Sequence, residues 1–172
     1  MASEKLLKEL NDQYNFELLS GYYYMGMAAY CSDKNMNGFA HFLIEQAKEE
    51  YLHSMKFYDF IYDMDGRVMT QAMSEPKNEF KSFLEVFEDA LAHEKLVTKR
   101  INDLVKSATE ENCYATVQFL QWFIEEQREE ENTMKDIIFK LEGIKDSFQG
   151  LYLLDKELES RPAVSVNQIS EQ

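Results

Sequence analysis

Between two long helical patterns the chain reads "GRVMTQAMSEPKN", residues 66–78, and the reach of this stretch decides how its neighbours can be arranged. It contains Gly66 and Pro76 and has no clear helical period, so it reads as a connection. At ~3.3 Å per extended residue, roughly 13 residues span ~43 Å. A helix of roughly 28 residues is ~42 Å long at 1.5 Å per residue. The connection can therefore run the full length of a helix and start the next one at the far end. This gives an all-α fold, a four-helix bundle with one long crossover loop between helices 2 and 3.

On both sides of the crossover, apolar residues recur at alternating steps of three and four, the helical signature. A first helix is expected over about Ser3–Ser32, with Ser3 as its N-cap, and "DKNMNG" (33–38) closes it. A second follows over about Asn37–Asp65, a third over about Asn78–Ser107 starting its stripe at Phe80, and a fourth over about Glu111–Glu142, stopped by Gly143. A short amphipathic fifth helix is expected over about Asp146–Glu159. The first and second helices, and the third and fourth, are joined by a few residues each, so each pair forms an antiparallel hairpin. Residues 1–159 then make one helical domain. The last stretch, "SRPAVSVNQISEQ" (160–172), reads as a flexible tail with little reason to be ordered.

Composition narrows the function. A chain of 172 residues with 45% hydrophobic content fits one globular domain. A formal charge of −14 argues against binding nucleic acid or an anionic membrane, both of which would repel it. The same charge suits a protein that handles cations. Cys31 and Cys113, with no C-x-x-C, read as free thiols of a reducing compartment. The start, "MASEKLLKELNDQ", lacks an apolar signal core, and no apolar run approaches the ~18 residues of a membrane span. A cytoplasmic location is expected.

The acids are unusual in where they fall. In "EEQREEE" (125–131), Glu130 and Gln127 lie on the core stripe of the fourth helix, whereas Glu125 and Glu131 fall away from it. Glu17 interrupts the first stripe, Glu50 with His53 the second, and Glu94 the third, each near its helix midpoint. In bundled helices of similar length, midpoints meet at one level. Each buried, unpaired carboxylate costs several kcal/mol, so four would rival the ~5–15 kcal/mol stability of a whole domain. No Lys or Arg occupies the stripes at that level. The four must share protons, draw in water, or bind metal. Two divalent cations would balance them, with neutral His53 adding a ring nitrogen, and Glu50-x-x-His53 puts both side chains on one face. Oxygen ligands with a single imidazole favour iron or manganese. Glu49, Glu126 and Glu129 each precede a core position by one residue. Tyr24 lies two turns after Glu17, its ring leaning back toward that level. Trp122 reads as packing, and His41 and His93 sit beside the stripes without a ligand role.

The chain resembles the bacterial non-haem ferritins over about its first 159 residues, through Glu17, "EEYLH" (49–53), Glu94 in "AHEKL", "QWFIEEQREEE" (121–131) and "GLYLLDKEL" (150–158). The resemblance implies an iron-storage protein with ferroxidase activity, in which a di-iron centre oxidises Fe(II) with dioxygen or peroxide. It implies a homo-oligomer, a hollow cage of 24 subunits holding ferric mineral, with the fifth helix near a fourfold axis. By that similarity Glu17 and His53 bind one iron, Glu94 and Glu130 the other, Glu50 bridges, and Gln127 sits beside the pair as a hydrogen-bonding group or weak ligand. Glu49, Glu126 and Glu129, with Glu130, would form a third iron site toward the cage interior. Tyr24, from its place on the stripe, reads either as a core tyrosine or as one that hydrogen-bonds the centre and donates an electron to a bound oxygen intermediate.

Departures from relatives sharpen this. Bacterioferritins and rubrerythrins carry a second E-x-x-H where this chain has Gln127-x-x-Glu130, so the second iron should be held loosely and move on after oxidation. Tyr51 occupies the place of the bacterioferritin haem-ligating methionine, and no haem is expected. Val117 and Leu120 stand where animal ferritins line their threefold channels with acids, so the resemblance does not extend to that route. Rival readings are a di-iron or di-manganese oxidoreductase that keeps its metals, an inert bundle with a hydrated polar layer, and a DNA-protecting dodecameric miniferritin, whose basic arm is missing here.

Overall fold

The computed structural model describes residues 2–165. Five helices follow in order, α1 (Glu4–Asp33), α2 (Asn37–Asp63), α3 (Phe83–Glu110), α4 (Tyr114–Ile144) and α5 (Phe148–Glu159). Packing is dominated by the α1·α2 and α3·α4 pairs, the two expected hairpins. Ser3 caps α1 as anticipated, its Oγ accepting from Leu6 N at 3.0 Å.

The crossover runs end to end. Near its start Met69 N donates to Asn11 Oδ1 at 2.7 Å, and Gln71 N donates to Asn15 Oδ1 at 2.8 Å. Further on, Pro76 and the Lys77 carbonyl lie against Gly26, where an added Cβ would stand 3.1 Å from that oxygen. From Leu7, which lies against Gly66, to Tyr30, which packs on Phe80, is about 35 Å along α1 at 1.5 Å per residue. The loop thus tracks α1, its backbone satisfied by two α1 asparagines that a stripe analysis treats as mere polar positions.

Several boundaries differ from the sequence reading, most of all the start of the third helix. The third helix starts at Phe83, not near Asn78, because Ser82 Oγ accepts from Glu85 N at 3.1 Å while the Glu85 carboxylate accepts from Lys81 N. "SFLE" (82–85) is a capping signature. Phe80 therefore precedes the helix, yet it is still buried, edge-on to Tyr30. The fourth helix starts at Tyr114 because Asn112 takes φ 56, a left-handed conformation that asparagine tolerates. Its end lies beyond Gly143, at Ile144, and Lys145 with φ 53 turns the chain.

The fifth helix is docked onto the second by a shared cap. Met36 offers α2 no capping side chain, and Asp155 supplies one from α5, its Oδ1 accepting from Gly38 N at 2.7 Å and Phe39 N at 3.1 Å. A Cβ at position 38 would lie 1.7 Å from Asp155 O, so the approach requires glycine. Residues 161–165, expected to be part of a loose tail, lie against α2 through Arg161 and Val164. The rest of that tail, 166–172, falls outside the described residues. Cys31 and Cys113 are buried, unpaired thiols. Among the described residues no helix is long and apolar enough to cross a membrane.

The apolar core is divided. One cluster, including Tyr24, Phe39, Phe87 and Met134, fills the α5 end. The other, including Leu10, Phe57, Ile101 and Phe123, fills the opposite end. The polar layer lies between them.

Candidate metal centre

The helical phase that carries Leu10, Phe57, Val97 and Phe123 inward also carries the acids. Glu17, Glu50, Glu94 and Glu130 are all buried, with His53 and Gln127 beside them. Ligand atoms of Glu17, Glu50 and His53 come within 4.8 Å of one another, a geometry that could hold a metal ion. His53 Nδ1 lies 3.4 Å from Glu50 Oε2. Oε2 of Glu17 and Oε2 of Glu50 are buried without a hydrogen-bond partner. Unpaired buried oxygens are costly, and a cation between them would remove that cost. The residues fit a metal on this side of the layer.

The other side is held by protein groups. Tyr24 Oη donates to Glu94 Oε1, Gln127 Nε2 donates to Glu94 Oε2 at 2.9 Å, and Gln46 Nε2 donates to Glu130 Oε2 at 2.7 Å. Glu94 and Glu130 therefore reach the same level without joining the compact Glu17–Glu50–His53 set. A metal binding here has to replace hydrogen bonds already made.

Electrostatics follow from burial. Burial pushes the Glu17 carboxyl up to about 7, while the Gln13 amide and the adjoining Glu50 carboxyl pull it back. Glu50 is raised well above the ordinary carboxylate range, first by burial and then by the charges of Glu94, Glu17 and Glu130. Glu130 is raised in the same way, by burial and then Glu94 and Glu49. Burial also raises Glu94, against the bonds from Tyr24 and Gln127. Without metal the layer therefore holds protons. His53 is driven down to about 3 by burial, with the Lys56 charge adding to it, so its ring is neutral and able to act as a ligand.

Apolar periodicity does not single out Gln13 and Arg100. Arg100 Nε donates to Gln13 Oε1 at 2.8 Å, and Gln13 Nε2 donates to Glu17 Oε1 at 2.7 Å. An arginine can only donate, so it fixes which way the Gln13 amide points. That leaves Glu17 Oε2 as the atom free for metal. A signal was present, since Gln13 stands four residues before Glu17 and Gln46 four before Glu50, neighbours on a helix face. Arg100 lay off the stripe and gave none. Gln13→Leu is expected to weaken the first Co(II) or Zn(II) bound by about tenfold, with an altered Co(II) visible spectrum. Unchanged affinity and spectrum would show that the amide does not orient the ligand.

Glu49, Glu126, Glu129 and Glu130 line a cavity of about 520 Å³ beside the centre, with Gln46. Glu126 Oε1 is 3.9 Å from His53 Nε2, which links cavity and centre. Burial, followed by the Glu49 and Glu129 charges, pushes Glu126 up to about 7. Trp122 packs edge-on against His53. His93 Nε2–H donates to Ser20 Oγ at 2.7 Å, whose own hydroxyl is given to Phe16 O, and His41 Nε2–H donates to Arg161 O. Neither histidine faces the layer.

A buried carboxylate layer at mid-height in a four-helix bundle with an end-to-end crossover defines the ferritin-like class of metal-handling bundles, the standard instance of this arrangement. Comparison with known proteins agrees. The ferritin-like domain family matches residues 7–144. Over 161 residues the chain is 47% identical to a bacterial non-heme ferritin of Staphylococcus haemolyticus and 45% identical to one of Staphylococcus aureus USA300, covering 94% of this chain and 97% of each relative. Its fold superimposes on an Archaeoglobus fulgidus ferritin engineered into a closed form with a TM-score of 0.94 at 42% identity, covering 95% of this chain and 100% of the other. A humanized archaeal ferritin gives 0.94 at 41%, covering 96% and 100%. The chain belongs to the ferritin family, and its function is iron storage.

Proposed function

We propose that this chain oxidises Fe(II) at an intra-subunit centre and passes the Fe(III) to a mineral inside a homo-oligomeric cage of 24 subunits. The observation that carries the reading is the pair of orphaned oxygens, Glu17 Oε2 and Glu50 Oε2, next to neutral His53. One Fe(II) binds Glu17, Glu50 and His53. The second draws on Glu50, Glu94 and Glu130 once Gln46, Gln127 and Tyr24 give up their bonds to the last two, so the sites fill in order. Each Fe(II) loses one electron, and dioxygen gains two electrons and two protons to leave as hydrogen peroxide. With peroxide as oxidant, two electrons and two protons yield two waters.

Tyr24 is protonated, since burial and then the charges of Glu94, Glu130 and Glu50 raise it well above the ordinary tyrosine value. Its hydroxyl holds Glu94. Glu49, Glu126, Glu129 and Glu130 form a third iron site on the way out, and haem has no part in the reaction. An exposed apolar groove along α1 and α2, with Leu18, Tyr22, Met25, Ile44 and Tyr51 on its walls, supports assembly with further copies of this chain.

Adding Fe(II) in air is expected to consume oxygen and give an amber ferric species, with iron loading far beyond two per chain in a particle of about twenty-four chains by size-exclusion mass. Loading that stops at two per chain in a small oligomer would instead mark an oxidoreductase that keeps its metals.

A further inference from the structure

Resting on the reading of Glu49, Glu126, Glu129 and Glu130 as an outer iron site, we propose that Arg161 is a fixed internal counter-cation that keeps this site weak, so that metal passes through it and does not stay. After α5 ends at Glu159, the chain turns back over α2. Arg161 Nη2 donates to Glu49 Oε2 at 2.7 Å and Nη1 to Phe42 O at 3.1 Å, with the guanidinium carbon 4.5 Å from the Phe42 ring centroid. Its backbone is tied as well. Arg161 O accepts from His41 Nε2–H at 2.9 Å, and Val164 N donates to Glu45 Oε2 at 2.7 Å. This is no freely moving surface arginine.

Arg161 lines the same 520 Å³ cavity as the four acids. A metal that draws on Glu49 must share the carboxylate with a guanidinium or displace it. Displacement does not remove the charge, because arginine keeps its proton and one arm of its fork stays on the Phe42 carbonyl. The retained cation opposes any divalent ion a few ångströms away. Lys140, the other cation on the cavity wall, is paired with Glu157. The inner set differs in contact, since the Arg100 guanidinium bonds to the Gln13 amide and to no ligand carboxylate, although its charge still bears on Glu17. Iron is thus held more loosely where it leaves than where it is oxidised.

Zn(II), which binds without redox change, tests this by calorimetric titration of the assembled apo protein. Wild type is expected to take two tighter equivalents per chain and a weaker third. Arg161→Met should tighten the third by about tenfold and leave the first two unchanged. Arg161→Lys, which keeps the charge but gives up the fork, should stay near wild type. A third equivalent unaltered in Arg161→Met overturns the proposal. So does equal tightening in Arg161→Lys, which would trace the effect to a loosened segment and not to charge. Glu126→Ala/Glu129→Ala separates the two readings. If it retains the third equivalent, the outer-site assignment fails and the role of Arg161 falls with it. If it loses that equivalent while Arg161→Met changes nothing, only the role of Arg161 fails.

Discussion

Replacing Glu50 and His53 together by alanine lowers the initial rate of Fe(II) oxidation by at least about 100-fold, while the metal-free bundle still folds. The rate falls because the variant loses a carboxylate and the one imidazole of the compact Glu17–Glu50–His53 set. The fold survives because these groups cost stability in the absence of metal. Glu50 is buried with an orphaned oxygen among the charges of Glu94, Glu17 and Glu130, and removing such a group relieves repulsion and desolvation of several kcal/mol. The cavity left by two truncated side chains offsets part of that gain. The apo unfolding midpoint at pH 8 is therefore expected at or above that of wild type. Stopped-flow absorbance and thermal unfolding of the same preparation check the two halves. Undiminished fast oxidation would put the centre elsewhere. A collapsed fold would make Glu50 and His53 structural groups.

The apo protein loses stability as pH rises from about 6.5 to 8.5, and bound Zn(II) cancels the loss. The carboxyls of Glu17, Glu50, Glu94 and Glu130 have folded values above their ordinary range, Glu17 at about 7. The native state thus holds protons that the unfolded chain has already released. Stability from these groups is complete below the ordinary carboxylate value and is lost as pH rises through the folded one. His53 and His93, lowered to about 3 and about 4 by burial, act oppositely, destabilising the fold as pH falls below their ordinary value of 6.5. Above pH 6.5 their contribution is nearly spent and the carboxyls dominate. Each fully titrating carboxyl contributes up to ~1.4 kcal/mol per pH unit.

Metal must displace the same protons, so its affinity rises over this range and binding releases protons. Denaturation curves at several pH values, with calorimetry in buffers of different ionisation enthalpy, measure both effects. A flat apo profile with proton-neutral binding would refute the shared-proton layer.

The polar layer was legible because helical periodicity acts on every residue alike. Glu17, Glu50, Glu94 and Glu130 share the phase of the surrounding Leu, Phe and Val, so they had to be buried. Tyr24 was legible for the same reason. Signals carried by single residues were easier to pass over. "SFLE" (82–85) fixes the start of α3, whereas the loop-to-helix reading puts it near Asn78. Gly143 looked like a terminator because glycine often ends helices, but the turn was made by Lys145. The Gln13/Glu17 and Gln46/Glu50 spacings were visible, but only the fold says which carboxylate each amide serves. Gln13 bonds on its own helix, whereas Gln46 reaches across to Glu130.

Repeat phase and loop reach are local quantities, and they suffice to define the four amphipathic rods, the end-to-end crossover and the level at which the acids meet. Only the tertiary packing settles which oxygens stay unpaired, that Asp155 of α5 caps α2, that Arg100 bonds to Gln13 beside Glu17, and that Arg161 bonds to Glu49. Those facts depend on residues far apart in the chain, such as Gly38 and Asp155 or Glu49 and Arg161, and no periodicity along one helix encodes the orientation of its partner.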